Sequence, residues 1–237
     1  MTSTKALTAV VLAGGLGTRL RSVVSDRPKV LADVCGRPFI TYLLDVLATS
    51  GVAEVVLATG HLADQIEDCL GEAYKGMALR YSCEHERLGT GGAVRLGLSQ
   101  ISNELVLVMN GDSFCEIDLN AFIENHQSSV FDVSMAVRKV EDTARYGRVE
   151  FDEQKRVNIF AEKVPGFAGE GWINAGMYLF PKHIIAAIPD GKEVSMEREV
   201  LPGLLAQGVG SFQCDGRFID IGLPETLEQA QTFFVGM

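Results

Sequence analysis

Three features of this 237-residue chain predict an α/β fold with a mixed, mostly parallel central sheet and helices on both faces. Short apolar runs alternate with longer amphipathic stretches through the first half. That βαβαβ order demands parallel strands joined by helical crossovers. A glycine-rich turn also follows the first apolar run, at the place where such sheets open toward a ligand. A hydrophobic content of 47% at this length suffices for the core of one large domain, read here as residues 1–237, with a first half to about 130 and a second from about 131.

The first strand is Ala9–Leu12. After the glycine turn, Pro38–Leu47 has apolar residues at helical spacing, with Pro38 suited to a first helical turn and Gly51 as the stop. A buried strand Glu54–Thr59, a helix from about Leu62 to Leu70, a strand near Leu79–Cys83 and a helix opening near Thr90 follow. The apolar run Leu105–Met109 then leads into Asn110-Gly111-Asp112. Beyond this point Phe131–Arg138, Arg148–Phe151, Val157–Phe160 and Ile173–Phe180 read as antiparallel strands folded over the first half. A helix near Met196–Ala206, tolerating or bent by Pro202, precedes a last strand into Asp220 and a closing helix Pro224–Phe233.

The turn reads Leu12-Ala13-Gly14-Gly15-Leu16-Gly17-Thr18-Arg19, with Pro28-Lys29 after it. Glycines remove Cβ atoms, so backbone N–H groups can approach a ligand closely. Arg19 offers a fork for two phosphate oxygens and Lys29 a compact point charge, which suits a triphosphate meeting a phosphate monoester. No Gly-Lys-Ser/Thr triple follows the glycines, and Leu20 stands where a dinucleotide fingerprint needs its third Gly.

This stretch resembles the signature of sugar-1-phosphate nucleotidyltransferases. The resemblance continues in order through Leu88-Gly89-Thr90-Gly91-Gly92-Ala93, Asn110-Gly111-Asp112, Tyr146-Gly147, Glu162-Lys163, Asn174-Ala175-Gly176 and Asp220-Ile221-Gly222. It implies a Rossmann-like three-layer (glycosyltransferase-A-like) fold, with a nucleotide-binding first half and a sugar-phosphate-binding second half. The wording of Arg21–Lys29 and Arg87–Gly92 is most similar to the D-glycero-α-D-manno-heptose 1-phosphate guanylyltransferases within that family, which implies GTP and a heptose 1-phosphate as substrates. Mannose-1-phosphate guanylyltransfer and sugar-1-phosphate uridylyltransfer are the neighbouring alternatives.

Composition excludes other classes. A formal charge of −10 leaves no surplus of cations for a nucleic-acid surface. Five scattered cysteines with no Cys-x-x-Cys read as reduced, mostly structural thiols, and the four histidines show no metal-ligand spacing. No apolar run reaches the roughly 18 residues that span a bilayer, so the expectation is a cytoplasmic protein without membrane or nucleic-acid partners. Oligomeric state is not written in the sequence.

Asp112 ends a very apolar strand, where a carboxylate is costly to bury without a partner. Mg²⁺ is such a partner, typically using one or two protein carboxylates and completing its shell with water and phosphates. The resemblance implies Asp220 as the second metal ligand; Asp118, before a helical run, reads as a plain N-cap. Family chemistry is attack of a sugar-1-phosphate oxygen on the α-phosphorus of a nucleoside triphosphate. A phosphate monoester with second pKa near ~6 is already largely dianionic, so no general base is needed. Arg19 and Lys29 are therefore the expected catalytic cations.

The nucleotide is expected on Leu12, Ala13, Gly14, Gly15, Gly17 and Thr18, with Gly89, Gly91, Gly92, Asn110 and Gly111. Backbone groups of Leu12, Ala13, Gly14, Gly91 and Gly92 are expected to meet the base, whose flat ring the bare glycines would admit. A carboxylate suits the N–H donors of guanine, and Glu84 or Glu86 could supply it, with Glu84 favoured. By resemblance, Lys163 holds the sugar phosphate, while Glu162, Asn174 and the Gly147 backbone hydrogen-bond sugar hydroxyls. Trp172 reads as core or sugar platform. A glycosyltransferase would want Asp-x-Asp where Asp112-Ser113-Phe114 stands; a non-catalytic relative would lack Arg19, Lys29 or the two acids.

Overall fold

The computed structural model describes residues 7–161 and 169–236. Its first strand, β1 (Leu7–Leu12), is buried along nearly its whole length. The chain then passes through the glycine turn, two short 3₁₀ turns at Thr18–Leu20 and Lys29–Leu31, and a hairpin of β2 (Asp33–Val34) and β3 (Arg37–Pro38). Helix α1 (Ile40–Thr49) starts after Pro38, whose carbonyl accepts the Thr41 hydroxyl at 2.6 Å. Pro38 thus closes the hairpin, where its missing N–H costs nothing, instead of opening the helix as its position suggested. Gly51 (φ 83°) ends α1, as its spacing predicts.

β4 (Glu54–Thr59), α2 (Ala63–Leu70), β5 (Ala73–Tyr74), β6 (Met77–Cys83), α3 (Gly89–Leu96) and β7 (Leu105–Asn110) follow. β7, β1, β4 and β6 are adjacent and parallel, with Leu12 opposite both Asn110 and Ala58. Alternation along each strand splits the core. Leu7, Ala9, Val11, Val55, Leu57, Leu107 and Met109 face one layer with α1 and α2, while Val10, Val56, Val106 and Val108 face the other with α3.

The first half ends with β8 (Ser113–Cys115) and α4 (Leu119–Ser128), whose N-cap Asp118 accepts the Ala121 amide at 3.0 Å. Next come β9 (Val133–Val140), β10 (Arg148–Phe151), β11 (Val157–Ala161) and the long β12 (Gly171–Pro181). These strands do not fold over the first half. β12 pairs antiparallel with β7, setting Met177 opposite Met109, so the additions extend the same sheet sideways. A bulge between Asn174 and Tyr178 bends β12, with Gly176 at φ 74° inside it.

After α5 (Lys182–Ala186) the expected helix around Pro202 is split. A π-type turn at Met196–Val200 runs into α6 (Leu201–Leu204), and the Glu199 and Val200 amides both reach the Ser195 carbonyl. Proline lacks the amide a continuous helix would use, and the widened turn precedes it. Two strands follow where one was expected: β13 (Val209–Cys214) runs parallel to β9, and β14 (Phe218–Asp220) pairs with β8 in a separate small sheet. Helix α7 (Pro224–Phe233) closes the fold. Just past its end Phe234 stacks on Tyr42 with ring centroids 3.9 Å apart and meets Phe114 of β8 edge-on at 4.9 Å. This aromatic cluster locks the chain beyond β14 to α1 and β8.

Candidate active site

Strands β1, β4 and β7 end at one edge of the sheet. There the Gly111 amide donates to the Leu12 carbonyl at 3.0 Å and the Ala13 amide to the Ala58 carbonyl at 2.8 Å. A Cβ on Gly111 would lie 2.4 Å from the Leu12 oxygen, so only glycine permits this junction. Gly17 takes a left-handed conformation (φ 57°) beside the Lys29 side chain, while Gly15, Thr18 and Arg19 face solvent.

Lys29 reaches across the edge and ion-pairs with Asp112. Its side chain is 13% exposed, which makes this the most enclosed cation of the site. Burial pushes the Asp112 carboxyl up, but the Lys29 charge and hydrogen bond, the Ser113 hydroxyl at 3.1 Å and the Arg19 charge together hold it below the usual carboxylate range.

Asp220 arrives from β14, where it pairs with Ser113, and the next amide, that of Ile221, donates to the Asp112 carbonyl at 2.9 Å. Asp220 Oδ1 accepts the Gly222 amide at 2.9 Å. Its other oxygen, Oδ2, is buried and has no hydrogen-bond partner among the described residues. Arg19 comes to the same turn: a Cβ on Gly222 would stand 3.5 Å from the Arg19 guanidinium and 2.7 Å from Asp220 Oδ1.

A buried carboxylate oxygen without a close hydrogen-bond donor, its backbone fastened to that of a second acid, is an arrangement that suits a hard cation. Among the described residues no group of three or more His, Cys, Asp or Glu side chains could hold a metal ion by itself. Two carboxylates match the habit of Mg²⁺, which takes few protein ligands and completes its shell with water and phosphate oxygens.

Glu84 follows β6. Its amide donates to the Thr59 carbonyl at 2.9 Å, and its Oε2 accepts the Leu88 amide at 3.0 Å. Oε1 lies against the glycine turn, 3.3 Å from where a Gly14 Cβ would be and 3.2 Å from where a Gly60 Cβ would be. Partial burial raises the Glu84 carboxyl, opposed by the Leu88 amide and the Arg87 charge. Glu86 is exposed.

Gly89, Gly91 and Gly92 pack against the protein's own backbone. Gly91 and Gly92 are buried, and their amides both donate to the Val194 carbonyl, at 2.8 and 3.2 Å. A Cβ on Gly89 or Gly92 would meet the Val194 or Lys192 carbonyl oxygen at 2.6 or 2.5 Å. These glycines seat the segment before the π-type turn, and the two buried amides are already used. Thr90 adds to the seam by donating to Glu197 at 2.7 Å.

On the second-half side, the Gly147 carbonyl accepts the Asn174 amide at 3.1 Å. The Asn174 side chain is taken up locally, accepting from the Gly176 amide at 2.9 Å and donating to the Tyr178 hydroxyl. Asn110, by contrast, keeps a buried Oδ1 without a partner among the described residues. Trp172 packs edge-on against Phe151 at 5.4 Å and belongs with the core. Glu162 and Lys163 lie outside the described residues. The sequence reading missed Arg145, which stands near Asp220, although it directly precedes the quoted Tyr146-Gly147 pair. All five cysteines are free; Cys35, Cys69 and Cys83 are exposed, so only Cys115 and Cys214 fit the structural reading.

Residues 8–235 match the family described as nucleotidyl transferase. The chain belongs to that family. It is 38% identical to the D-glycero-alpha-D-manno-heptose 1-phosphate guanylyltransferase of Aneurinibacillus thermoaerophilus, over 94% of this chain and 96% of that one. It is 37% identical to the mannose-1-phosphate guanylyltransferase of Mycobacterium tuberculosis over 94% of its own length, though it spans only 63% of that relative. Among solved structures, HddC from Yersinia pseudotuberculosis complexed with GMP-PN superposes with a TM-score of 0.84 at 37% identity, covering 96% of this chain and 99% of that one. Nucleotidyl transferase chemistry therefore frames the geometry above. Among the described residues no helix is long and apolar enough to cross a membrane.

Proposed function

We propose that this nucleotidyl transferase moves GMP from GTP to a sugar 1-phosphate, with D-glycero-α-D-manno-heptose 1-phosphate the favoured acceptor, giving a GDP-sugar and pyrophosphate. The observation that carries the reading is the meeting of Lys29, Asp112, Asp220 and Arg19 at the open edge beside the glycine turn. The names of the relatives support the guanylyl and heptose parts.

The reaction is an in-line displacement. An oxygen of the sugar phosphate bonds to the α-phosphorus, and the bridge to the β-phosphorus breaks with its electron pair on the leaving pyrophosphate. Gly14, Gly15, Gly17 and Thr18 let the turn wrap the triphosphate, and Arg19 holds its outer phosphates. Lys29 neutralises the α-phosphoryl group and the incoming phosphate, and its pairing with Asp112 fixes the ammonium in place beforehand. Asp112 and Asp220 would hold Mg²⁺, which when bound supplies charge neutralisation at the phosphate oxygens. Dianionic phosphate needs no base, so the chain's work is alignment and charge.

Glu84 Oε1 reads the guanine N1–H and 2-amino group, while Leu12, Ala13 and Gly111 form the rigid floor under the nucleotide. Lys163 holds the sugar phosphate, and Glu162 and the Gly147 backbone meet sugar hydroxyls. Asn174, which shapes the β12 bulge beside Gly147, has a second amide N–H to offer a sugar hydroxyl.

Pyrophosphate release from GTP, ATP, UTP and CTP against heptose, mannose and glucose 1-phosphates tests the assignment. GTP with the heptose 1-phosphate is expected to give the highest kcat/KM. Faster turnover of UTP would reject the guanylyl reading, and preference for mannose 1-phosphate would favour the neighbouring activity named by the mycobacterial relative.

A further inference from the structure

The loop between β9 and β10 brings a third cation to the reaction edge, one that the glycine-turn motif does not contain. An Arg145 guanidinium nitrogen stands 3.9 Å from Asp220 Oδ2, inside ion-pair range but beyond a hydrogen bond. This is the same oxygen that is buried without a hydrogen-bond partner. The guanidinium lies 5.8 Å from the Tyr146 ring centroid, and that ring packs edge-on against Phe218 of β14 at 5.7 Å. Tyr146 therefore ties the loop to the strand carrying Asp220. Arg145 itself is 44% exposed and can swing outward without disturbing the core.

A divalent cation on Asp220 Oδ2 would repel a guanidinium standing 3.9 Å from that same oxygen, and Arg145, unlike the enclosed Lys29, is exposed enough to move away. A guanidinium moved off Asp220 is free to pair with a bound anion, and Gly147, the proposed sugar-hydroxyl contact, is two residues away. We propose that Arg145 is a metal-displaced counter-ion: it neutralises Asp220 in the metal-free enzyme, gives way when a divalent cation takes Oδ2, and then binds the phosphate of the sugar 1-phosphate. Metal and sugar phosphate consequently strengthen each other's binding, a coupling that must be reciprocal. This inference rests on the proposed metal-holding role of Asp220.

Mn²⁺ binding, followed by the electron paramagnetic resonance of the free ion, tests it in wild type, Arg145→Met, Arg145→Lys and Asp220→Asn, with and without α-D-mannose 1-phosphate. Arg145→Met is expected to bind Mn²⁺ about threefold or more tighter than wild type, given that the pair is partly exposed. Mannose 1-phosphate should tighten Mn²⁺ binding to wild type but not to Arg145→Met, and Arg145→Lys should keep much of the wild-type response. Asp220→Asn should bind Mn²⁺ much more weakly. An Arg145→Met protein that holds Mn²⁺ no tighter than wild type, alongside a weakened Asp220→Asn, overturns the counter-ion role and leaves the metal role of Asp220 standing. An Asp220→Asn protein that binds Mn²⁺ like wild type overturns both.

Discussion

The amide of Ile221 donates to the carbonyl of Asp112 at 2.9 Å, fastening the end of β14 to the end of β7. Through this bond and the Asp220–Ser113 pairing, two acids far apart in sequence become neighbours. The first prediction concerns that pair. Asp112→Asn and Asp220→Asn should each lose most turnover, need more Mg²⁺ for half-maximal rate, and keep the circular dichroism of the wild type. Near-wild-type rates without added metal would remove the altered residue from the metal site.

Lys29→Ala and Arg19→Ala should lower kcat far more than they weaken nucleotide binding, because their charge is aimed at phosphates whose charge shifts during transfer. Contacts of this kind typically contribute about 2.7–4 kcal/mol to the transition state. Unchanged kcat with only a raised KM for GTP would make them binding groups alone.

Lys29 also sets a pH dependence. Asp112 is held below the usual carboxylate range in the folded protein, so its ionised form favours folding above the unfolded carboxyl's pKa. That contribution is lost as pH falls from the ordinary carboxylate range through the lowered folded value. In Lys29→Met the Asp112 carboxyl should rise toward or above its ordinary value, so Tm between pH 7 and 3 should fall less steeply than in wild type. Parallel Tm profiles would show that the pair does not govern Asp112.

Glycines of the site should divide by steric role. Gly111→Ala and Gly92→Ala put a Cβ 2.4 and 2.5 Å from backbone oxygens of Leu12 and Lys192, so both should lower Tm and activity together. Gly15→Ala meets nothing within 4 Å and should keep Tm. Any loss of kcat in Gly15→Ala then reports on phosphate approach alone, and Tm losses equal to those of Gly111→Ala would contradict this division.

Glu84→Ala should reduce kcat/KM for GTP by about 5- to 150-fold, since unsatisfied buried donors cost roughly 1–3 kcal/mol. ITP, which lacks the 2-amino group, should suffer less, and Glu86→Ala should change little because Glu86 is exposed. Equal losses with GTP and ITP would mean that Glu84 acts through its Leu88 hydrogen bond and not on the base.

Strands β1, β4 and β7 were legible because burial on both faces leaves nearly unbroken apolar runs, and Asp112 was legible as the acid ending one of them. β8 was not, being three residues long and defined only by its pairing with β14, and the single strand expected before Asp220 is divided into β13 and β14. The split at Pro202 was half-visible: proline marks the disturbance, but the π-type turn depends on how Ser195–Glu197 seats against Thr90. That Gly91 and Gly92 also pack against Val194 and Lys192 was not legible, because glycine writes the same letter whether a ligand or the protein's own backbone approaches it. Arg145 stood in a surface loop with no pattern of its own, and only folding sets it beside Asp220.

The most direct test of the central claim is a ³¹P NMR time course with enzyme, Mg²⁺, GTP and D-glycero-α-D-manno-heptose 1-phosphate. The account predicts pyrophosphate and a GDP-sugar diphosphate pair growing in equal amounts, no turnover of GTP when the sugar phosphate is left out, and little of either product from Asp220→Asn. GTP cleavage that proceeds without the sugar phosphate, or a wild-type mixture in which neither product forms while the nucleotide remains bound, would contradict it.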